Sequence, residues 1–192
     1  METLPWLKEF PRLETNRLIL RRVVPADAED ILRHYSQEAV TYFLDIESIH
    51  TLEEAERIIQ FFERGYQQGR WMRWGIELKE NGRLVGTAGF NNWECHRGHY
   101  GEIGFDLSSE YWGQSIMVEA LTTLIRFGFE EMRLNRIEAL VMLHAEQAMN
   151  VLEKLGFMPE GIRREYGYWK GRYWDELCYS LLRREWEAQR AG

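Results

Sequence analysis

Long hydrophobic runs are missing from this 192-residue chain. No stretch reaches the roughly 18 uncharged apolar residues that a membrane-spanning helix needs. The first ten residues, METLPWLKEF, lack the pattern of a signal peptide. We therefore expect a soluble, cytoplasmic protein that does not associate with a membrane.

Cysteine and proline are also scarce. The two cysteines, Cys95 and Cys178, are far apart and unpatterned, and the five histidines show no metal-ligand spacing. We expect two reduced, structural thiols and no metal site. The chain contains four prolines and no repeat, low-complexity tract or Gly/Ser/Pro-rich linker. The sequence therefore predicts one domain over residues 1–192.

Positive charge is in deficit, because the formal net charge is −7. A nucleic-acid-binding protein needs a basic face to neutralise phosphates, so we expect no nucleic-acid partner. The acidic balance is compatible with a cationic partner, such as an amine or a basic protein tail. A simple contribution of the acidic residues to solubility is the explanation that we favour.

Hydrophobic periodicity, by contrast, is plentiful and predicts most of the secondary structure. A helix begins at Thr51, which forms a capping box with Glu54, and Asn81–Gly82 indicates a hairpin turn. Gly156 is expected to end a short helix near the C-terminal third of the chain. The predicted strands cover residues 17–23, 72–78, 83–90, 100–107, 136–142, 161–168 and 174–182.

The centre of the chain reads as strand, helix, strand, with the helix running to about Met132. This order is typical of a parallel crossover unit, and ligands of α/β sheets bind where strands end and helices begin. The stretch YWGQSIMVEAL, residues 111–121, occupies that place. Phosphate-holding turns are usually rich in glycine, and this one has only Gly113. A helix N-terminus nevertheless offers free N–H groups that can bind phosphate without a basic side chain.

Within this stretch, WGQSIM resembles the acyl-CoA pyrophosphate loop of the GCN5-related N-acetyltransferase (GNAT) family, Q/R-x-x-G-x-G/A. The chain is most similar to the ribosomal-protein N-terminal acetyltransferase (RimJ/RimL-like) branch. Four ordered segments carry the resemblance: LETNRLILRRVVPADAEDI, YGEIGFDLSSEYWGQSIMVEAL, NVLEKLGFMPEGIRREYGYWKG and DELCYSLLRREW. The resemblance implies an α/β (α+β), GNAT-like acyl-CoA N-acyltransferase fold, with a mixed, mostly antiparallel sheet of about seven strands flanked by helices.

The resemblance also implies a function, the transfer of an acetyl group from acetyl-CoA (coenzyme A) to a primary amine. The expected acceptor is a protein or peptide N-terminal α-amino group, and the alternative acceptor is a small-molecule amine. A catalytically impaired CoA-binding or sensor domain, or a scaffold that has lost the cofactor, are the other interpretations. The family likeness implies a monomer or a homodimer.

Site residues follow from the same resemblance. The main chains of Phe105 and Leu107 are expected to pair with the pantetheine arm, in a gap between their strand and the strand near residues 137–141. Glu102 is expected to be the general base, directly or through water, and the alternative is a solvated strand glutamate. The backbone amides expected to face the pyrophosphate are those of Gly113, Gln114, Ser115, Ile116, Met117 and Val118.

Three residues depart from the family pattern: Ser115 replaces a glycine, Ala145 an asparagine and Ala148 a serine. Each lost hydrogen bond should weaken cofactor binding by roughly 0.5–1.5 kcal/mol without abolishing it. Aromatic and histidine side chains are further candidates for the walls of the acceptor pocket. These are Tyr42, Phe43, Trp93, His96, Tyr166, Tyr168 and Trp169.

Overall fold

A computed structural model describes residues 5–95 and 98–191, so that His96 lies outside the described residues. Its centre is one eight-stranded sheet in the order β1-β2-β3-β4-β5-β6-β8-β7. The parallel pair is β5 with β6, and the other neighbouring strands are antiparallel. The strands are β1 (Leu13–Glu14), β2 (Leu18–Arg22), β3 (Met72–Leu78), β4 (Leu84–Glu94), β5 (Tyr100–Leu107), β6 (Arg136–Met142), β7 (Met158–Trp169) and β8 (Arg172–Leu182).

Helices cover both faces of this sheet. The larger core lies under α4, whose apolar stripe packs on β3 to β6, and a second apolar cluster lies between α1, α3 and the opposite face. The helices are α1 (Ala28–Tyr35), α2 (Glu38–Thr41), α3 (Leu52–Gln67), α4 (Ile116–Glu130), α5 (Glu146–Lys154) and α6 (Arg183–Ala191).

The predicted mixed, mostly antiparallel sheet is confirmed, with eight strands in place of about seven because the two-residue β1 pairs with β2. The predicted crossover unit is β5-α4-β6, and its two strands are parallel. Thr51 and Glu54 form the capping box, and Gly156, at φ +84°, follows α5. The short α2 and the charged α6 were not predicted.

The sequence predicted no membrane-spanning helix, no metal site and two reduced cysteines. Within the described ranges, no helix is long and apolar enough to cross a membrane. In the same ranges, no three or more His, Cys, Asp or Glu side chains are grouped so as to hold a metal ion. Cys95 is half-buried and Cys178 is buried, and both are free thiols.

Candidate functional site

The site is a cleft that opens where two parallel strands separate. β5 and β6 pair only over Tyr100–Glu102 and Arg136–Glu138, although both strands continue for several residues. Beyond the last pair, residues 103–107 and 139–142 line opposite sides of a cleft of about 320 Å³. The unpaired edges leave backbone N–H and C=O groups without a strand partner, and such edges accept an extended ligand as an additional strand.

The N–H and C=O groups of Phe105 and Leu107 in β5 face the cleft. Ser108 N–H donates to Val85 O of β4 at 2.9 Å. Because N–H and C=O groups alternate between the two edges of a strand, the main chains of Phe105 and Leu107 point away from β4, towards the cleft. The indole of Trp112 donates to Leu107 O at 2.7 Å and ties the following loop to the end of the strand.

The start of α4 lies at one end of the cleft. Ser115 immediately precedes the helix, and its carbonyl accepts the N–H of Glu119 at 3.1 Å. The N–H groups earlier in this turn have no carbonyl partner within the helix. Gly113 and Ser115 both have positive φ, +75° and +58°. A Cβ on Gly113 would meet nothing within 4 Å, so open space for an anion lies before the loop.

Ser115 therefore adopts the left-handed conformation that glycine takes more readily. Its φ and ψ are 58° and 17°, its side chain is exposed, and its hydroxyl makes no capping hydrogen bond to α4. Ser115 thus holds a backbone conformation that a glycine would adopt at lower energetic cost.

Arg17, the residue before β2, anchors this loop. Arg17 donates through its backbone N–H and its Nε to the Glu119 carboxylate, at 2.9 and 2.6 Å, and through Nη1 to Gln114 O at 3.1 Å. Burial raises the pKa of Glu119, but hydrogen bonds from Thr15 and Arg17 outweigh it, and the net shift is downward. Glu119 is thus an ionised structural residue that holds the helix start against the sheet edge.

Most residues predicted to bind the cofactor come together in this cleft: Phe105, Leu107, Gly113, Ser115, Ile116, Met117 and Val118 line it. Gln114 does not, because its side-chain amide turns away and donates to Glu110 O at 2.9 Å. Ala145 and Ala148 also line the cleft and present only methyl groups there. Gln147, Asn150 and Lys154 of α5 line it too, and none of the three was predicted, although Asn150 and Lys154 stand in the segment NVLEKLGFMPEGIRREYGYWKG.

Glu102 lies in the last paired position of β5, at the point where the strands separate. A Cβ on Gly104 would meet the side-chain amide of Asn91 at 2.7 Å. Asn91 Nδ2 also donates to Glu102 Oε1 at 3.0 Å, and Asn92 Nδ2 donates to Oε2 at 3.1 Å. Glu102 thus faces the side of the sheet opposite α4, and each carboxylate oxygen holds one amide hydrogen bond and keeps a lone pair.

A buried polar network, which was not predicted, fixes β5 from the same side. Asp106 is buried, with His34 Nε2 2.6 Å from Oδ1, and it forms an ion pair with Arg73. Thr87 donates to it through N–H at 3.1 Å, and Tyr35 OH does so at 3.3 Å. Burial raises the pKa of Asp106, but the Arg73 charge and the hydrogen bonds lower it overall to about 2. Because side chains alternate between the two faces of a strand, the sequence of β5 could have predicted that Asp106 shares a face with Glu102. It could not have predicted the hydrogen-bond partners of Asp106, which are distant in the sequence.

α2 and the segment that follows it form another wall of the cleft. Phe43 is the predicted wall residue that lines the cleft, and Ala39, Val40 and Leu44, which were not predicted, lie with it. Lys170, in the turn between β7 and β8, donates to Thr41 O at 2.6 Å and joins this hairpin to α2. The other described candidates do not line the cleft: Tyr42, Tyr166 and Tyr168 are exposed, Trp93 packs against the core, and Trp169 stacks on Trp174.

Known proteins are similar to this chain in sequence and in fold. The N-acetyltransferase YoaA of Bacillus subtilis, named as uncharacterized, is 37% identical over 91% of this chain and 98% of its own length. The ribosomal protein uS5-alanine N-acetyltransferase of Escherichia coli is 25% identical over 91% of this chain and 92% of its own. RimJ of Mycobacterium smegmatis, solved in complex with CoA-disulfide, superposes with a TM-score of 0.79 at 24% identity. The superposition covers 88% of this chain and 83% of RimJ, and it shows the shared fold.

The family assignment rests on the sequence as well as on the fold. The acetyltransferase (GNAT) domain matches residues 17–158, a span that includes β2, the splayed strands, the loop before α4 and α5. Members of this fold use acetyl-CoA, and a neighbour in complex with CoA-disulfide has the same architecture. The chain belongs to the GNAT acetyltransferase family and is an N-acetyltransferase.

Proposed function

We propose that this N-acetyltransferase transfers the acetyl group of acetyl-CoA to the α-amino group at the N-terminus of a protein or peptide. The observation that carries the proposal is the cleft between β5 and β6, with the start of α4 at one end. Glu102 does not line this cleft but occupies the last β5–β6 pair, immediately before the strands separate. The Escherichia coli relative, whose name specifies an alanine N-terminus of uS5, supports this class of acceptor at 25% identity.

The cofactor is proposed to lie along the unpaired edge of β5. When bound, acetyl-CoA supplies the acetyl thioester and a thiol leaving group. The N–H groups from Gly113 to Val118 would hold its pyrophosphate, because they point out of the helix start, where the dipole favours an anion. The cleft-facing main chains of Phe105 and Leu107 would pair with the pantetheine amides. A leaving thiol with a pKa of about 8.5 can depart largely as thiolate, so a dedicated proton donor is unnecessary.

Glu102 is proposed as the general base that withdraws a proton from the acceptor ammonium, directly or through one water. A protonated amine has no lone pair for attack, so the reaction requires this step. The amide hydrogen bonds from Asn91 and Asn92 fix the direction of the carboxylate. Glu102→Gln should lower kcat about 10²-fold or more, with little effect on the Kd of acetyl-CoA. A variant that retained full kcat across the pH range would refute this role.

Release of free thiol from acetyl-CoA tests the acceptor class. Two sets are compared at equal amine concentration: short peptides with free N-termini, including alanine, and small primary amines. The matched control is each peptide with its N-terminus blocked. We expect turnover with free peptides that disappears on blocking. Transfer confined to small amines, or to lysine side chains of the blocked peptides, would overturn the proposed acceptor while leaving the family assignment intact.

A further inference from the structure

Asn91 is the extra residue of a β-bulge in β4. Phe90 pairs with Ile103 of β5 and Asn92 pairs with Glu102, so Asn91 has no paired residue on β5. On a regular strand, neighbouring side chains point to opposite faces of the sheet, whereas a bulge re-aims them. Here the amides of Asn91 and Asn92 both reach the Glu102 carboxylate, at 3.0 and 3.1 Å. The bulge therefore gives this carboxylate two amide donors where a regular strand would supply one.

The two amides differ in what holds them. Arg73 of β3 donates through Nη1 to Asn91 Oδ1 at 3.2 Å, while Asn91 Nδ2 donates to Glu102 Oε1. A guanidinium has no acceptor and an ionised carboxylate has no donor, so the Asn91 amide satisfies both neighbours in one orientation only. Asn92 Oδ1 has no hydrogen-bond partner among the described residues, so within that part of the chain Glu102 alone holds its amide.

Arg73 is itself fixed by buried groups. Its Nε donates to Thr87 Oγ1 at 2.8 Å, and its Nη2 forms the ion pair with Asp106. A Cβ on Gly104, a residue that lines the cleft, would lie 2.7 Å from Asn91 Nδ2 and 2.9 Å from Arg73 Nη1. The amide and the guanidinium thus lie directly over the backbone of β5, where glycine leaves them room. A continuous series of contacts joins the buried ion pair to the carboxylate of the proposed base.

We propose that Asn91 is a positioning residue for the reaction, which Arg73 orients and which in turn fixes the Glu102 carboxylate for proton withdrawal. The inference rests on the proposed role of Glu102 as general base. A base must come within about 2.6–3.2 Å of the atom whose proton it takes, directly or through one water. A displacement of about 1 Å can cost roughly 10²-fold in rate. Asn91 acts through Glu102 and needs no contact of its own with the acceptor or the cofactor.

The first test is a double-mutant cycle of Asn91→Ala with Glu102→Gln. The kcat of thiol release is measured with acetyl-CoA and the acceptor that the wild type turns over fastest. Asn91 is exposed, so its truncation leaves no cavity and should change Tm by no more than about 2 °C. We expect Asn91→Ala to lower kcat roughly tenfold in the wild type and at most about twofold in the Glu102→Gln background. The Kd of acetyl-CoA, measured by calorimetry, should stay within about twofold in all four proteins.

Two further variants separate orientation from the mere presence of a hydrogen bond. Asn92→Ala removes an amide donor from the other oxygen of Glu102, and we expect at most about a threefold loss of kcat, since no guanidinium orients that amide. Asn91→Asp keeps the size of the side chain and an oxygen for Arg73 but loses the donor to Glu102. Its kcat should fall at least as far as that of Asn91→Ala. Losses that add in the cycle, or an equal loss in Asn92→Ala, would overturn the proposal.

A second readout needs no turnover. Solvent exchange of the side-chain amide hydrogens of Asn91 and Asn92 is followed by nitrogen-15 NMR in the full chain, and each resonance is assigned by its loss in the alanine variant. We expect the Asn91 amide to exchange at least about threefold more slowly than that of Asn92. Arg73→Lys keeps a charge beside Asp106 but loses the fork that reaches Asn91, and it should abolish this difference. Equal exchange rates in the wild type, or a difference that survives Arg73→Lys, would refute the inference.

The kinetic outcomes also separate this inference from the proposed function. Full kcat in Glu102→Gln would refute the general base and this inference with it. A loss of kcat in Glu102→Gln without a loss in Asn91→Ala would refute this inference alone.

Discussion

Replacement of Ser115 by glycine is the most direct test of the cofactor loop. Ser115 has φ 58° and ψ 17°, a conformation that places the Cβ of an L-residue close to the following carbonyl oxygen. Such a residue stores roughly 1–2 kcal/mol of strain. Glycine relieves the strain, but its unfolded chain gains conformational freedom worth roughly 0.4–1 kcal/mol. The net expectation is a stabilisation of about 1 kcal/mol.

In a domain of this size, 1 kcal/mol corresponds to an increase in Tm of roughly 2–4 °C. Thermal unfolding of wild type, Ser115→Gly and Ser115→Ala measures this increase. Alanine is the matched control, because it retains the Cβ and the strained φ while it removes the hydroxyl. We expect the glycine variant to melt higher and the alanine variant to melt close to the wild type. A Tm of Ser115→Gly at or below that of the wild type would refute the strain argument.

Calorimetric titration with acetyl-CoA on the same three proteins identifies what the side chain does to the cofactor. The backbone of Ser115 already has the glycine conformation, so we expect Ser115→Gly to bind within about threefold of the wild type. Binding more than tenfold tighter in Ser115→Gly would show that the Cβ crowds the pyrophosphate. A loss of roughly 0.5–1.5 kcal/mol in Ser115→Ala would show that the hydroxyl is a ligand.

Two further perturbations test the frame of the cleft. Gly113→Ala should lower stability by about 1 kcal/mol through its φ of +75° alone, since its Cβ meets no atom within 4 Å. It should also weaken acetyl-CoA binding, because the Cβ enters the space proposed for phosphate; unchanged Tm and affinity would contradict this. Asp106→Asn leaves the buried Arg73 without its partner and should lower the free energy of unfolding, measured in urea, by about 3–5 kcal/mol. The exposed control Asp45→Asn should change it by no more than about 0.5 kcal/mol. The pKa of Asp106 is depressed from 3.8 to about 2, so its contribution of about 2 kcal/mol is fully present above pH 4 and is lost as the pH falls through 2. A wild type and Asp106→Asn that lose stability in parallel between pH 5 and pH 2 would contradict this linkage.

The sequence alone determined the elements whose signals are local. The capping box at Thr51 and Glu54, the apolar stripe of α4 and the glycine that follows α5 each act within a few residues, so pattern and propensity were sufficient. The strand-helix-strand order also fixed a parallel β5–β6 pair, because two parallel strands require a crossover of this length. The weakly periodic, charged α6 carries no comparable local signal, and contacts such as that of Trp186 with Phe129 place it.

Only the tertiary structure decided where β5 and β6 separate and which face each side chain occupies. The end of their pairing after Glu102 depends on register with β4 and β8, which no local pattern encodes. The partners of Asp106, 19 to 72 positions away, meet only when α1, β3 and β4 come together. Local chemistry specified the helix start that can hold a phosphate, and long-range packing specified the cleft beside it.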